Sequence, residues 1–328
     1  MTERSLSTRD MGRLVKPSAY VGMVIILSLL PLFLKSPYWL HIFIITFVFI
    51  ISTASLRTIV ISGQFPLAHA AFMGIGAYAS AVISKELGWS PWLTMILGAV
   101  MAMAIGILIG YPFARLRALY YAMVSLFFGV GMLQVFSVFQ RWTGGYSGLM
   151  GIPRLFPTVS KLPYYYFFLG LTTICLFALY RFESCRIGMA LKAISQSHLI
   201  ASSVGINEAR HRVLALAVGC FFVGLAGAAY AHYNLTLSYT SFDMLATLWL
   251  FMYALIGGIG SFAGPIVGTA VLFIIPEFAR ELKEFLPYLS AAILFIVVFA
   301  MPQGLVGLPQ LARLGFKKLR KKRGAHAS

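Results

Sequence analysis

Residues 95–110 of this chain read Met-Ile-Leu-Gly-Ala-Val-Met-Ala-Met-Ala-Ile-Gly-Ile-Leu-Ile-Gly, with no charged side chain among them. A helix of this composition is apolar on every face, which is typical of a segment buried in lipid or inside a membrane bundle. Similar runs occupy residues 42–52 and 291–301. In the 328-residue chain, hydrophobic residues make up 60%, charged residues 11%, and the mean hydropathy is +0.87. This composition predicts an all-α polytopic membrane protein.

Ten hydrophobic stretches are candidates for membrane segments. Residues 243–257 and 265–276 are shorter than the roughly 20 residues that a crossing needs, so we expect short or broken helices there. Residues 66–84 are rich in Gly and Ala, and we expect them to be partly re-entrant. The sequence therefore predicts roughly 8 to 10 crossings. The ten stretches are Ala19–Leu34, Leu40–Ile61, Pro66–Ser84, Pro91–Tyr111, Leu119–Phe139, Pro163–Tyr180, Val213–His232, Asp243–Gly257, Pro265–Pro276 and Phe285–Met301.

The basic residues predict an orientation. If the N-terminus is cytoplasmic and the segments alternate, 18 of the 26 Lys and Arg residues lie on the cytoplasmic side, as the positive-inside rule requires. We expect a cytoplasmic segment at 1–18, a transmembrane domain at 19–308 with a cytoplasmic loop at 181–212, and a basic cytoplasmic tail at 309–328. The net charge of +17 then reflects membrane topology and anionic headgroups rather than a nucleic-acid partner.

The loop at 181–212 is a polar island with a helical pattern. Its apolar residues recur at helical spacing, and Gly205 is suited to end a helix. The pattern predicts one amphipathic helix at the membrane surface, which either presses against a partner or lies on lipid. Its apolar face would consist of Ile187, Leu191, Ile194, Ala201 and Val204.

No catalytic or cofactor-binding constellation is found. The nine Asp and Glu residues lie near segment ends or in loops, so we expect no acid within the membrane that could serve a proton relay. The three cysteines, Cys175, Cys185 and Cys220, lack metal-ligand spacing. The Gly-rich stretch 257–265 lacks the Lys-Ser/Thr ending of a nucleotide-binding loop. Any ATP and Mg that this protein uses must therefore be bound by another subunit, and we expect no enzymatic activity and no cofactor in this chain.

Three polar side chains are candidates for lining a translocation pathway. Arg57 is interpreted as an arginine near the middle of the stretch 40–61, a position that costs about 2.5–3.5 kcal/mol. Because no carboxylate is predicted at that depth, we expect its partner to be backbone carbonyls, a neighbouring subunit or an anionic substrate. Gln64 and His69 begin the Gly-rich segment, where they would either bond another helix or face water in the pathway.

Glycines recur in two of the predicted segments. Gly74 and Gly76 lie in the third, and Gly224 and Gly227 lie in the seventh. Small residues at such positions allow close helix packing, and smooth interfaces also allow helices to slide. We expect close packing.

Several motifs together resemble one family. Residues 63–78, Gly-Gln-Phe-Pro-Leu-Ala-His-Ala-Ala-Phe-Met-Gly-Ile-Gly-Ala-Tyr, are similar to a block of the branched-chain amino acid ABC importer permeases. Residues 142–153 are similar to that family's external Thr-Gly-Gly turn, and residues 224–228 and 256–265 resemble its second half. The matches run in order over almost the whole chain. They resemble the LivM-type subunit more than its LivH-type partner.

The resemblance implies a role for the cytoplasmic loop. In such permeases the segment after the Arg-x-Gly-x-Ala-x-x-Ala-Ile pattern, here residues 186–194, forms a helix that fits a groove of the ATPase. Family members usually have acidic residues after this pattern, whereas this chain has Ser, Gln, Ser and His at 195–198. The choice of ATPase partner is therefore expected to differ. The implied coupling residues are Ala193, Gln196, His198, Ala201 and Gly205, of which Gln196, His198 and Ala201 are expected to be exposed.

The resemblance also implies the assembly. We expect a multi-pass permease of the bacterial inner membrane that works by alternating access. Its partners would be a LivH-type companion permease, two cytoplasmic ATPase subunits, a periplasmic substrate-binding protein and lipid. Branched-chain or related amino acids are the first substrates to consider, followed by urea, short amides and aromatic or other carboxylic acids. An ion-coupled secondary transporter is the alternative class, which the expected lack of intramembrane acids disfavours.

Overall fold

The computed structural model describes residues 17–33, 36–116, 118–158, 160–278 and 305. Nine of the ten hydrophobic stretches coincide with helices, which confirms the all-α fold; the stretch 285–301 and the basic tail lie outside the described residues. The helices are α1 Pro17–Phe33, α2 Pro37–Val60, α3 His69–Leu87, α4 Pro91–Phe113, α5 Ala118–Val138, α6 Gln140–Thr143, α7 Lys161–Ser184, α8 Arg186–Gln196, α9 His198–Ser203, α10 Glu208–Asn234, α11 Met244–Gly257 and α12 Gly264–Phe278.

Among the described residues, five helices are long and apolar enough to cross a membrane: α2, α4, α5, α7 and α10. The expected short helices are present as α11 and α12, of 14 and 15 residues. At about 1.5 Å per residue, each is shorter than the roughly 30 Å hydrocarbon core of a bilayer. The Gly- and Ala-rich segment is helical only from His69 onward, and residues 61–68 form an irregular connection.

The chain divides into two compact units, residues 21–251 and a second unit that contains residues 252–278. In the first unit α10 is central and packs against α2, α3 and α4, while α7 packs against α2. A side chain at Gly76 would overlap the backbone of Gly224, and one at Gly227 would overlap the carbonyl of Met73. The predicted role of these glycines in close packing is thus confirmed for the contact between α3 and α10.

The first unit has two ends, which we name by a residue in each. The Arg57 end contains residues 61–64, the end of α4, and helices α8 and α9; Gly63 lies against Ser195 there. The His232 end contains α6, a 3₁₀ turn at Gly145–Ser147 and a two-stranded antiparallel sheet of β1 (Leu149–Met150) and β2 (Thr236–Leu237). The loops expected to be cytoplasmic between α2 and α10 thus lie together at one end.

In the second unit, α11 ends at Gly257 and the chain turns back into α12. A side chain at Gly264 would overlap the carbonyl of Gly258, and one at Gly268 would overlap the carbonyl of Tyr253. Gly264 in the Gly-rich stretch and Gly268 in α12 therefore allow two short helices to meet closely through their backbones.

Candidate functional site

The loop at 181–212 contains two helices instead of the single helix that was predicted. The break lies at Ser197, which is extended (φ −159°, ψ 109°) and whose hydroxyl accepts a hydrogen bond from Ile200 N as the N-cap of α9. Side-chain capping by Ser competes with a continuing helix, which explains why an uninterrupted helical pattern was wrong here. Gly205 follows α9 with φ +81°, as its predicted role at a helix end requires.

The break changes which residues are buried. Leu191, Ile194 and Ala201 are buried as the pattern predicted, but Val204 is exposed because the helical phase restarts at Ser197. The expectation that Ala201 is exposed is therefore wrong, since its exposed fraction is 2%. Among the other implied coupling residues, Gln196 and Gly205 are exposed, while Ala193 and His198 are half-buried.

Leu191 holds α8 against the rest of the bundle. It is fully buried and packs with Ile61 beyond α2 and Ala215 of α10, with Phe182 and Ile187 around them. The opposite surface of the two helices is apolar as well. Four of its side chains are 59–70% exposed: Met189, Leu199, Ile200 and Val204. A group of exposed apolar residues on an otherwise polar loop marks an interaction surface.

Arg57 has a partner within the chain, contrary to the expectation from sequence. Its Nη1 donates to both carboxylate oxygens of Glu183, and each of the two side chains is 4% exposed. From hydropathy, the sixth segment was predicted to end at Tyr180. Helix α7 instead continues to Ser184 and includes Glu183 in its last turn. Arg57 likewise lies in the last turn of α2, so the two charges meet at the same end of neighbouring helices.

The other two pathway candidates are also buried within the first unit. Nε2 of His69 lies 3.1 Å from the carbonyl oxygen of Ser52 and 3.0 Å from Oγ of Ser55, so α3 is tied to α2 by an interhelical hydrogen bond. Nδ1 of His69 and Nε2 of Gln64 have no hydrogen-bond partner among the described residues. Each side chain is at most 1% exposed. Whether they line a pathway stays a prediction.

His232 was missed by the sequence reasoning, although it organises the opposite end. Its Nδ1 lies 2.8 Å from the carbonyl oxygen of Pro153 and donates to it, because a carbonyl can only accept. In the neutral ring Nε2 then accepts from Ser80, whose Oγ is 2.9 Å away, and Thr94 Oγ1 lies 3.3 Å from the same nitrogen. One side chain thus joins α3, α4, α10 and the turn after β1. Its only sequence signal was a histidine at the end of an apolar segment.

Asp243 is a second residue with a role that the sequence did not predict. It lies in the wall of a narrow cleft, together with Leu126 and Gly129 from the middle of α5. The Asp243 carboxylate accepts a hydrogen bond from Ala246 N at 2.8 Å and so caps the start of α11. Asp243 thus lies at the end of a segment, as predicted, but that segment is the short helix α11, which starts at the level of the middle of α5.

The family model described as branched-chain amino acid transport system / permease component matches residues 38–302. This chain belongs to that family. The permease is 26% identical to the LivM permease protein of the high-affinity branched-chain amino acid transport system of Escherichia coli K12, over 92% of this chain and 78% of that protein. No solved structure matches it.

The LivM-type assignment is confirmed by the extent of the matches. The LivH permease protein of Escherichia coli K12 is also 26% identical, but over only 77% of this permease and 89% of its own length. A probable LivM permease protein of Methanocaldococcus jannaschii is 20% identical over 72% of this permease and 77% of its own length. The permease is thus a multi-pass membrane protein and a transport component.

Proposed function

We propose that this chain is a membrane subunit of an ATP-driven importer for branched-chain or related amino acids and that α8 and α9 receive the ATPase. The observation that carries this proposal is the two-sided loop: Leu191 and Ala201 are buried against the bundle, while Leu199 and Ile200 are exposed on the other side. A partner that covers the exposed side can move the bundle through the buried side. ATP and Mg are bound by that partner, and this chain catalyses no reaction.

The proposal includes an orientation of the permease in the membrane. The Arg57 end faces the cytoplasm, both termini are cytoplasmic, and the His232 end faces the periplasm, where a substrate-binding protein delivers its ligand. This follows the positive-inside bias of the loops. A LivH-type companion completes the pathway through the inner membrane, and the pathway opens alternately to each side.

Purification of the complex tests the ATPase surface. Ile200→Glu places a charge on the exposed apolar side of α9, so we expect ATPase subunits no longer to copurify with the permease. Met150→Glu is the matched control, because Met150 is similarly exposed, at 63%, but lies at the His232 end. If Ile200→Glu retains the ATPase as the wild type does, the two helices lie on lipid instead.

The exposed native Cys185 tests the orientation without any substitution, since it lies between α7 and α8 at the Arg57 end. A thiol reagent that cannot cross membranes should label it in inside-out vesicles and leave it unlabelled in intact spheroplasts. Met150→Cys in a Cys185→Ser background should show the reverse. Labelling of Cys185 from outside would exclude the proposed orientation.

The energy source and the substrate need separate measurements. Uptake that survives a proton ionophore but stops when ATP is depleted supports an ABC importer over an ion-coupled secondary transporter. Calorimetric titration of the associated binding protein with leucine, urea, a short amide and benzoate separates the substrate classes. We expect the amino acid to bind most tightly.

A further inference from the structure

The Arg57–Glu183 pair lies directly beneath the start of α8. Glu183 is in the last turn of α7, and α8 begins at Arg186 after a turn at Cys185. Gly188 of α8 fits against the backbone of Glu183 so closely that a side chain there would overlap its carbonyl. The first turn of α8 therefore rests on the residue that holds Arg57.

Two further contacts join α8 to the region just beyond α2. Leu191 packs against Ile61, and a Cβ at Gly63 would lie 3.5 Å from the Cα of Ser195. These contacts are apolar or backbone contacts, which resist separation but set no fixed angle between the helices. The ion pair is different, because a charge-assisted hydrogen bond is a strong and directional contact, here between Nη1 of Arg57 in α2 and the carboxylate of Glu183 in α7.

Stability alone does not account for a buried ion pair. Removing two charges from water costs about as much as their attraction returns, and well-packed apolar residues in their place are often neutral or stabilising. The pair is nevertheless buried here between residues 126 positions apart in sequence. A role in fixing the position of α2 relative to α7 explains why two charged residues are buried at this site.

We propose that the Arg57–Glu183 pair is a rigid link that makes α2 move with α8 during transport. A displacement of α8 by the ATPase passes through Gly188 to Glu183, then through the ion pair to Arg57 and α2. Because α2 packs against α10, the central helix moves with it. Arg57 and Glu183 are thus positioning residues, and this inference rests on the proposed function of α8 and α9.

The test replaces the pair by apolar residues and measures uptake and ATP hydrolysis together in liposomes that contain the whole complex. Arg57→Met with Glu183→Leu should leave the amount of assembled complex near that of the wild type. Substrate moved per ATP hydrolysed should fall about fivefold, a size typical of a lost coupling interaction. Glu208→Gln is the control, because it removes an ion pair with Arg212 within α10 at the same end; its ratio should equal the wild-type ratio.

If the apolar variant moves as much substrate per ATP hydrolysed as the wild type does, the ion pair does not link α2 to α8. If that variant fails to assemble, spin labels that avoid the pair decide the question in a Cys185→Ser background. The distance between labels at Met189 and Phe65 should stay constant between nucleotide-free and ATP-trapped complexes, while the distance from Met189 to Phe127, in the middle of α5, changes. Equal changes in both distances would overturn the proposal. If the wild-type complex itself shows no ATP-driven uptake, the proposed function is wrong.

Discussion

The Arg57 end and the His232 end of the first unit are both held by buried polar side chains, but with different chemistry. At the Arg57 end, two full charges bridge α2 and α7, whereas at the His232 end a neutral ring bridges three helices and a turn. Loss of one charge leaves the other buried without compensation, while loss of a neutral partner leaves only an unmade hydrogen bond. The charged end is therefore the more sensitive one, and the glycine contacts between α3 and α10 join the two.

The largest expected effect is at the Arg57 end. Arg57→Leu leaves Glu183 buried without its partner and should destabilise the permease by about 3–5 kcal/mol, whereas the double variant with Glu183→Leu should be nearly neutral. Thermal unfolding in detergent measures both. Lys85→Leu, at an exposed cation, is the control; equal losses for Arg57 and Lys85 would contradict the prediction.

The next effect is at the His232 end. His232→Phe leaves the carbonyl of Pro153 and the hydroxyl of Ser80 without this partner, so we expect a loss of about 1–3 kcal/mol. The same unfolding assay should place it below Arg57→Leu. His211→Phe serves for comparison, because His211 is only half-buried and its side chain bonds the carbonyl of Asn207 one turn earlier, at the N-cap of the same helix. A loss at His232 as large as that at Arg57 would remove the contrast between the two ends.

Gln64 is buried at the Arg57 end as well, but its side chain carries no charge. Its buried amide nitrogen has no hydrogen-bond partner among the described residues, so Gln64→Met should leave stability unchanged or raise it by up to about 1 kcal/mol. If Gln64 lines the pathway, uptake should nevertheless fall. Unfolding and uptake measured on the same preparation separate the two roles. Normal uptake would exclude the pathway role.

The smallest expected effect is at Asp243, between the two ends. Asn caps a helix as well as Asp does, so Asp243→Asn should change stability by less than about 0.5 kcal/mol, whereas Asp243→Ala should cost about 1 kcal/mol. Thermal unfolding of the two variants checks this order. A large loss with Asn would show that the charge itself, rather than the cap, stabilises the start of α11.

The positions of the helices were largely predictable. Residues 95–110 are apolar on all faces and form part of α4, since water is excluded from such a segment and its backbone must satisfy its own hydrogen bonds. The shortness of α11 and α12 also followed from the length of their apolar runs. The ends of helices were less predictable: hydropathy stopped at Tyr180, but the hydrogen bonds of α7 continue to Ser184.

The residues of the candidate site could be predicted from the sequence, but their arrangement in space only in part. The loop at 181–212, its apolar residues and the role of Gly205 could be read from spacing. The break at Ser197 could not, because a single capping hydroxyl decides it against a pattern that is helical throughout. Consequently the positions of Leu191 and Ile194 were right, and those of Ala201 and Val204 were partly or wholly wrong.

The sequence by itself determined that this chain is an all-α membrane protein of a transport family, because apolar length and short motifs are local properties. Only the tertiary structure decided which polar groups meet. Arg57 and Glu183 are 126 residues apart, and His232 bonds a serine 152 residues away. The spacing of residues along the chain does not predict such pairs. They depend on which helices are neighbours and on how deep in the bundle each helix ends.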